Sequence, residues 1–485
     1  MPTRPWKVLT AAALIGIAGD VLMRESELRL GFTLWLFTLI ASVLVIGGMR
    51  DREQNLLLAG IALAACGVSL RDAPLLHTIN LMSVFCMGAL LIRYGTGAAL
   101  GRLQLVDVPR VGVLALVNTL LGTPRIMGGS GAATGHATGS SGRRSQTVRA
   151  LLLGIALAVP PLAIVTALLS SSDPVFEALL QRVFATEALS HVLLAVVLAW
   201  IAAGWIQAAL RSAVGCWIPE LRTPALPFAA VSVALIALIV LLGAFVITQA
   251  RVLFGGEAFL LSTQQLSLAT YARRGFFEMI VATGVVLTTL VVTEWLLPPD
   301  AIDAHRHYRR LAAALLVLVS AVLVSAATRI GLYVHRFGLT LDRTLAIAVI
   351  IWVVAALALF SWSVLRRRAD RFFPALIAVT VVWVALFNML NPEALVARVN
   401  LARAAGGNTF DAAYHATLSA DALPVLLDGA PRLASAECQQ LQTTMAAQRA
   451  RRLAAASVPH EWRQMNLAAV RAARWYEETG SLGCR

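Results

Sequence analysis

Apolar and polar residues follow one another along this chain in long blocks, without the short alternations of water-soluble helices and strands. A membrane-spanning helix needs about 20 mainly apolar residues. By that length eleven runs qualify, at approximately 6–23, 30–49, 55–70, 75–94, 150–172, 189–210, 225–250, 276–297, 311–333, 341–365 and 371–390. In lipid every backbone N–H and C=O needs an internal partner, so runs of this length are helices. The expected fold class is therefore all-α, a polytopic membrane bundle of about eleven spans. The first run is read as a retained span, because no small-x-small cleavage pattern follows it.

The polar blocks divide the chain further. Residues 1–121 hold the N-terminal spans, and run 105–121, with Asp107 and Pro109 at its start, reads as an interfacial helix or a half-span. Residues 122–149 are rich in Gly, Ser and Arg and read as a cytoplasmic linker; no GxxxxGK[ST] phosphate loop occurs there. Residues 150–390 form the main bundle. From 391 to 485 Ala, Gln, Arg and Glu replace Val and Leu, and helix signals return: Asn391-Pro392-Glu393 starts a helix and Gly406-Gly407 ends it. A second helix is expected at Phe410–Leu427, interrupted at Pro424, and amphipathic runs follow at Pro431–Ala455 and Pro459–Thr479. This reads as a soluble helical-hairpin domain suited to docking a partner protein.

Composition narrows the function classes. Apolar residues are 59% of the 485 and charged residues only 14%, against about 25% charged in ordinary soluble domains, so a wholly soluble protein is excluded. The net charge of +14 is carried by arginine, Lys7 being the only lysine. These arginines stand in the loops between apolar runs, as in membrane proteins, and do not point to nucleic acid. With the N-terminus inside, inside segments carry 20 Lys and Arg against nine in the short outside loops. That bias predicts a cytoplasmic N-terminus in a bacterial inner membrane, with residues 391–485 outside the cytoplasm.

Of five cysteines, Cys66 and Cys86 fall inside spans and Cys216 in an inside loop. Cys438 and Cys484 both lie in the tail, where an oxidising compartment allows them to pair. No Cys/His spacing suits zinc, no catalytic motif stands in a convincing context, and no cofactor is implied. His305 and His307, beside Asp303, are placed in an inside loop.

Ionisable groups at membrane depth are functional candidates by default. In Tyr271-Ala272-Arg273-Arg274-Gly275-Phe276-Phe277-Glu278, helical spacing puts Tyr271, Arg274 and Glu278 on one face. Two readings stand: a structural ion pair neutralising Glu278, or a site where Arg273 or Arg274 grips an anionic head group. Arg329 lies within run 311–333, either reaching outward beside Tyr333 or pairing with Glu278. Asp20 is expected to meet Arg24, its i+4 neighbour.

Three stretches together carry a resemblance: Tyr271–Glu278 (YARRGFFE), Asn391–Asn400 (NPEALVARVN, with Arg398 and Asn400), and Asp411–Pro424 (DAAYHATLSADALP, with Asp421). They resemble bacterial multi-pass membrane proteins carrying the domain of unknown function numbered 4173, or its relative 4153, over roughly 150–430. His415 stands where that pattern leads one to expect leucine. The resemblance implies an inner-membrane protein without an established activity. It also implies that Arg273, Arg274, Glu278, Asn391, Arg398, Asn400, Asp411 and Asp421 gather at the outer face. Two function classes follow: a carrier or flippase for an anionic envelope or lipid-linked substrate, and a non-catalytic scaffold or sensor whose tail docks a protein. A membrane-embedded transferase is a third. Membrane lipids are expected partners of all three.

Overall fold

The computed structural model describes residues 5–24, 28–47, 51–95, 101, 107–128, 187–210, 227–264, 276–298, 301–366, 368–455 and 462–479. Every regular element among them is helical. The bundle consists of α1 (Pro5–Met23), α2 (Leu30–Gly47), α3 (Arg52–Leu70), α4 (Pro74–Gly95), α5 (Asp107–Gly128), α6 (Glu187–Ala209), α7 (Phe228–Gln264), α8 (Phe276–Leu296), α9 (Ile302–Phe337), α10 (Leu341–Ser363) and α11 (Phe372–Leu390). Ten of these, all but α5, are long and apolar enough to cross a membrane. The remaining expected span, 150–172, lies outside the described residues.

Two helices differ from expectation for reasons of packing and length. Helix α5 continues to Gly128, into residues expected as linker. Contacts with α6 hold the extension: Thr123 Oγ1 donates to the Trp200 carbonyl at 2.9 Å, and Trp200 Nε1 donates to the Leu120 carbonyl at 3.0 Å. Gly122 packs against the backbone of Gly204. Helix α9 begins at Ile302, so His305 and His307 are helical and not in a loop. Each ring bonds a backbone carbonyl one turn earlier, Ala301 or Asp303, and no metal-binding group of His, Cys, Asp or Glu occurs among the described residues. The 36 residues of α9 span about 54 Å at 1.5 Å per residue, well beyond the hydrocarbon layer of about 30 Å.

The spans pack into two bodies. In the first, α1–α6 share one core, with Val8, Leu57, Ile61, Leu91 and Ile206 fully buried. Small residues let its backbones approach: Gly16 of α1 packs against Ala195 and Ala199 of α6, the association that lipid-embedded helices favour. The second core joins α7–α11 around Leu235, Leu290, Tyr308, Leu315 and Phe360. There Tyr308 donates to the Leu290 carbonyl at 2.6 Å, and Trp383 Nε1 to the Ala348 carbonyl at 2.9 Å.

Helix α11 belongs to both bodies, offering Phe372 to one core and Val381 to the other. At this seam the buried amides of Asn80 and Asn388 exchange hydrogen bonds of 3.0 and 2.9 Å beside Gly67. A side chain at Gly67 would occupy their place. Such interhelical bonds contribute about 0.6 kcal/mol each, enough to set register and too little to weld the two bodies.

One face gathers the α1–α2 and α3–α4 connections, where Arg29 pairs with Asp72 at 3.6 Å, together with the start of α6, the α9–α10 turn and the end of α11. Gly101 and the backbone of Asp370 meet on the opposite face. The tail follows α11 on the first of these. It comprises α12 (Pro392–Ala405), α13 (Ala412–Ala416), α14 (Leu423–Gly429), α15 (Ser435–Ala455) and α16 (Leu467–Thr479).

Asn391 turns the chain with φ +51° and caps α12, its Oδ1 accepting from Ala394 N–H at 3.2 Å; Gly406 and Gly407 end that helix, as the sequence predicts. The single helix expected at Phe410–Leu427 is two helices, with Pro424 in the opening turn of α14, where its missing N–H costs nothing. The tail is also less self-contained than its composition suggests. Its core, from Val396 and Phe410 to Leu441, takes in Leu339 of the α9–α10 turn, with Val334, Leu341 and Ile347 against it.

Candidate functional site

The polar motifs of the tail serve two clasps that hold it to the bundle. The first grips the three-residue turn Arg71-Asp72-Ala73 between α3 and α4. The Asp421 carboxylate, with its side chain 1% exposed, accepts the N–H of Asp72 at 2.6 Å and of Ala73 at 3.0 Å, and faces Arg71 Nη1 at 3.2 Å. Arg71 also donates from Nε to the Asn388 carbonyl at 2.7 Å and from Nη2 to that of Met389 at 3.3 Å. Those carbonyls end α11 and lack helical partners, so a cation there is doubly favoured.

Asn391 Nδ2 donates to the Asp421 carbonyl at 3.2 Å, and Asn466 Nδ2 to that of Arg71 at 2.5 Å. Below them Glu393, 2% exposed, accepts the Ser419 N–H at 2.5 Å. Burial raises its carboxyl above the ordinary range; the hydrogen bonds from Ser419 oppose that rise and the charges of Asp421 and Asp72 add to it.

The second clasp grips the α9–α10 turn. Asn400 acts as a strand of backbone would: Oδ1 accepts Leu339 N–H at 2.9 Å and Nδ2 donates to the Leu339 carbonyl at 2.7 Å. Gly338, at φ +79°, lets the turn pass over Asn400, where a Cβ would meet the Asn400 amide at 2.5 Å. The Tyr414 hydroxyl accepts Leu341 N–H at 2.9 Å.

His415, 2% exposed and stacked on Phe410 at 4.2 Å, bonds the Asp411 carbonyl through Nδ1 at 2.7 Å and meets Asn400 Nδ2 through Nε2 at 3.0 Å. Burial lowers its pKa, the Asp411 carbonyl and carboxylate opposing. The neutral ring therefore donates from Nδ1 and accepts at Nε2. Arg403 donates from Nη1 to the His335 carbonyl and from Nη2 to that of Arg336, closing the end of α9. Both clasps spend most of their donors and acceptors on backbone groups.

The predicted polar residues thus fall in separate places. Asn391 and Asp421 meet in the first clasp. Asn400 and Asp411 meet through His415 in the second, where Asp411 also caps α13 by accepting Tyr414 N–H at 2.9 Å. Arg398 is exposed. Tyr271, Arg273 and Arg274 lie outside the described residues; Glu278 stands in the first turn of α8 with its side chain exposed on the protein surface.

Arg329 is buried, at 6% exposure, and donates from Nη2 to Gln249 Oε1 of α7 at 2.6 Å, with Ser325 also on that oxygen at 3.3 Å. It neither reaches outward beside Tyr333 nor pairs with Glu278. The ring of Tyr333 instead carries the guanidinium of Arg343 at 4.1 Å. Cys438 is 1% exposed and disulfide-bonded, and Cys66 and Cys86 are free. The expected partner of Cys438, Cys484, lies outside the described residues.

Asp20 does meet Arg24, at 3.2 Å. A second partner, His191 of α6, was not legible in the sequence, nor were Arg71, Asp72, Gln249 and Glu393 as members of polar sites. One signal pointed to Arg71 and Asp72: a three-residue turn with two charges between spans has little room to turn both away from whatever covers it.

One family model, described as a domain of unknown function (DUF4153), matches residues 58–429. The match begins well upstream of the stretches that carried the resemblance and ends with α14. No curated protein and no solved structure matches the chain.

Proposed function

We propose that this chain, which belongs to the DUF4153 family, is an inner-membrane carrier that moves or flips an anionic envelope or lipid-linked substrate. In this reading its N-terminus is cytoplasmic and its tail-bearing face lies outside. The observation that carries the reading is the division of the spans into two packed cores that meet along α11, with a small cluster of Leu76, Ala348 and Phe387 between them. Two bodies with a thin seam can rock against each other, as alternating access requires. The tail clasps both bodies on one face, α3–α4 of the first and α9–α10 of the second, which suits a strap that limits such rocking. Arg329, buried among apolar spans beside Gln249, is the cation assigned to the anionic group, since a guanidinium at this depth needs a functional reason.

Mass spectrometry of the purified full chain tests the reading. An anionic lipid or lipid-linked molecule should copurify, and Arg329→Gln should lose it while the protein stays folded. A stoichiometric protein bound through the tail, with no anionic ligand in either form, would instead favour a scaffold or sensor. An anionic ligand retained undiminished in Arg329→Gln would remove Arg329 from the site.

A further inference from the structure

Away from the clasps, at the tail-bearing ends of α1 and α6, four polar side chains meet. Asp20, 9% exposed, is bonded on both oxygens. Oδ1 accepts from Arg24 Nε at 3.3 Å and Nη2 at 3.2 Å, and Oδ2 lies 2.6 Å from His191 Nδ1. Arg24 also donates from Nη1 and Nη2 to Ser190 Oγ, both at 3.1 Å. The guanidinium thus braces the carboxylate, and the carboxylate orients the imidazole.

This is the arrangement in which a carboxylate fixes a histidine tautomer: Nδ1–H points to Asp20, which leaves Nε2 with the lone pair. Nε2 makes no hydrogen bond among the described residues, and the side chain is 47% exposed. Beside this group Trp35 Nε1 is buried with no hydrogen-bond partner, 2.7 Å from where a Cβ on Gly19 would stand.

We propose that Asp20 and His191 form a proton-binding dyad at the tail-bearing face. A proton from hydronium or an acidic hydroxyl at headgroup depth adds to His191 Nε2. Asp20 balances the imidazolium that results, and the same proton leaves from Nε2 to water on release. Among the described side chains, the charged and titratable groups around it are few. Asp20 and Arg24 come from α1, and Ser190 stands beside His191 on α6. The first charged side chain before α2, Arg29, is engaged with Asp72. For its role the dyad rests on the carrier reading, in which a proton exchanged here is the coupling ion; as a proton site it stands without any known substrate.

Histidine-labelled full chain in lipid nanodiscs, with His191→Gln to assign the signal, gives the test by nitrogen NMR. On acidification the His191 pair should convert from the Nδ1–H neutral form to imidazolium. Asp20→Asn should shift that neutral form toward a mixture of tautomers. A His191 signal that keeps one form throughout, or a tautomer unchanged by Asp20→Asn, overturns the proposal.

Should Asp20→Asn fail to fold, acylation of the unaltered chain by diethyl pyrocarbonate decides. His191 should react about tenfold faster than buried His415, the ratio a local opening costing about 1.4 kcal/mol imposes on the latter. Equal or slower reaction overturns the proposal. Titration of His191 is read in Arg329→Gln as well, so a failed carrier reading and a failed proton site remain distinguishable.

Discussion

The two clasps hold the same tail to the same face by different chemistry. One is ionic: Asp421 sits among two backbone N–H groups and Arg71, with Asp72, Arg29 and Glu393 around it. The other turns on neutral groups at its centre: Asn400, Tyr414 and an uncharged His415 copy the hydrogen bonding of a backbone, with Arg403 set to one side on the carbonyls that end α9. A neutral clasp weakens by the bonds it loses. An ionic clasp loses more when one partner goes, because the charge left behind stays buried, although the intact pair contributes little over an apolar contact. The body held by the ionic clasp should therefore tolerate loss of both charges better than loss of one.

Asp421→Asn is the change with the largest expected effect. It leaves Arg71 facing an amide and turns a donor toward the N–H groups of Asp72 and Ala73, so we expect about 3 kcal/mol of destabilisation. It should be read as a lowered unfolding midpoint and earlier proteolysis after Leu390. Adding Arg71→Gln should recover part of that loss; a double variant as unstable as the sum of the singles would show that the clasp is not ionic in its energetics.

Asn400→Ala comes next. It removes two bonds to Leu339 and the partner of His415 Nε2, and about 2 kcal/mol should follow from the unsatisfied backbone groups. Hydrogen exchange should rise at the α9–α10 turn and stay unchanged at residues 71–73. Equal loss of protection at both turns would mean that the clasps open as one.

The smallest effects come from pH, and they run in opposite directions. Burial lowers the His415 pKa in the folded chain, so below about 6.5, the ordinary imidazole value, the unfolded state binds more protons. Stability from the neutral clasp is full above that value and falls as pH drops toward the folded pKa. Glu393 is raised, so its contribution is full below the ordinary carboxyl range and falls as pH rises through the folded pKa. Glu393→Gln should accordingly change stability by less than about 1 kcal/mol, since its amide still accepts from Ser419, and should flatten the pH profile on the alkaline side. A loss as large as that of Asp421→Asn would put an ionised Glu393 inside the ionic clasp.

Features that depend on neighbours in sequence were legible in it. The apolar runs marked all ten described spans, and Asn391-Pro392-Glu393, Gly406-Gly407 and the Asp20 to Arg24 spacing each describe contacts within a turn or two. The polar contacts between helices, and between the bundle and the tail, are distant in sequence: Asp421 from Asp72 by 349 residues, Asn80 from Asn388 by 308, His191 from Asp20 by 171. No periodicity carries such pairings. Arg329 illustrates the limit from the other side, because its depth was readable and its neighbour Gln249, 80 residues away, was not. His415 looked like a departure from a leucine position, yet its ring stacks on Phe410 as an apolar side chain would and still joins Asn400 to Asp411.

The turn at 71–73 also has a place in time. It leaves the ribosome some 350 residues before Asp421, which at 5–20 residues per second is roughly 20–70 s. For that interval the first body stands in the membrane with the N–H groups of Asp72 and Ala73 and the guanidinium of Arg71 still waiting for the carboxylate. Closure of the ionic clasp is thus a late event of biogenesis, and it can occur only once α9, α10 and α11 have been inserted ahead of it.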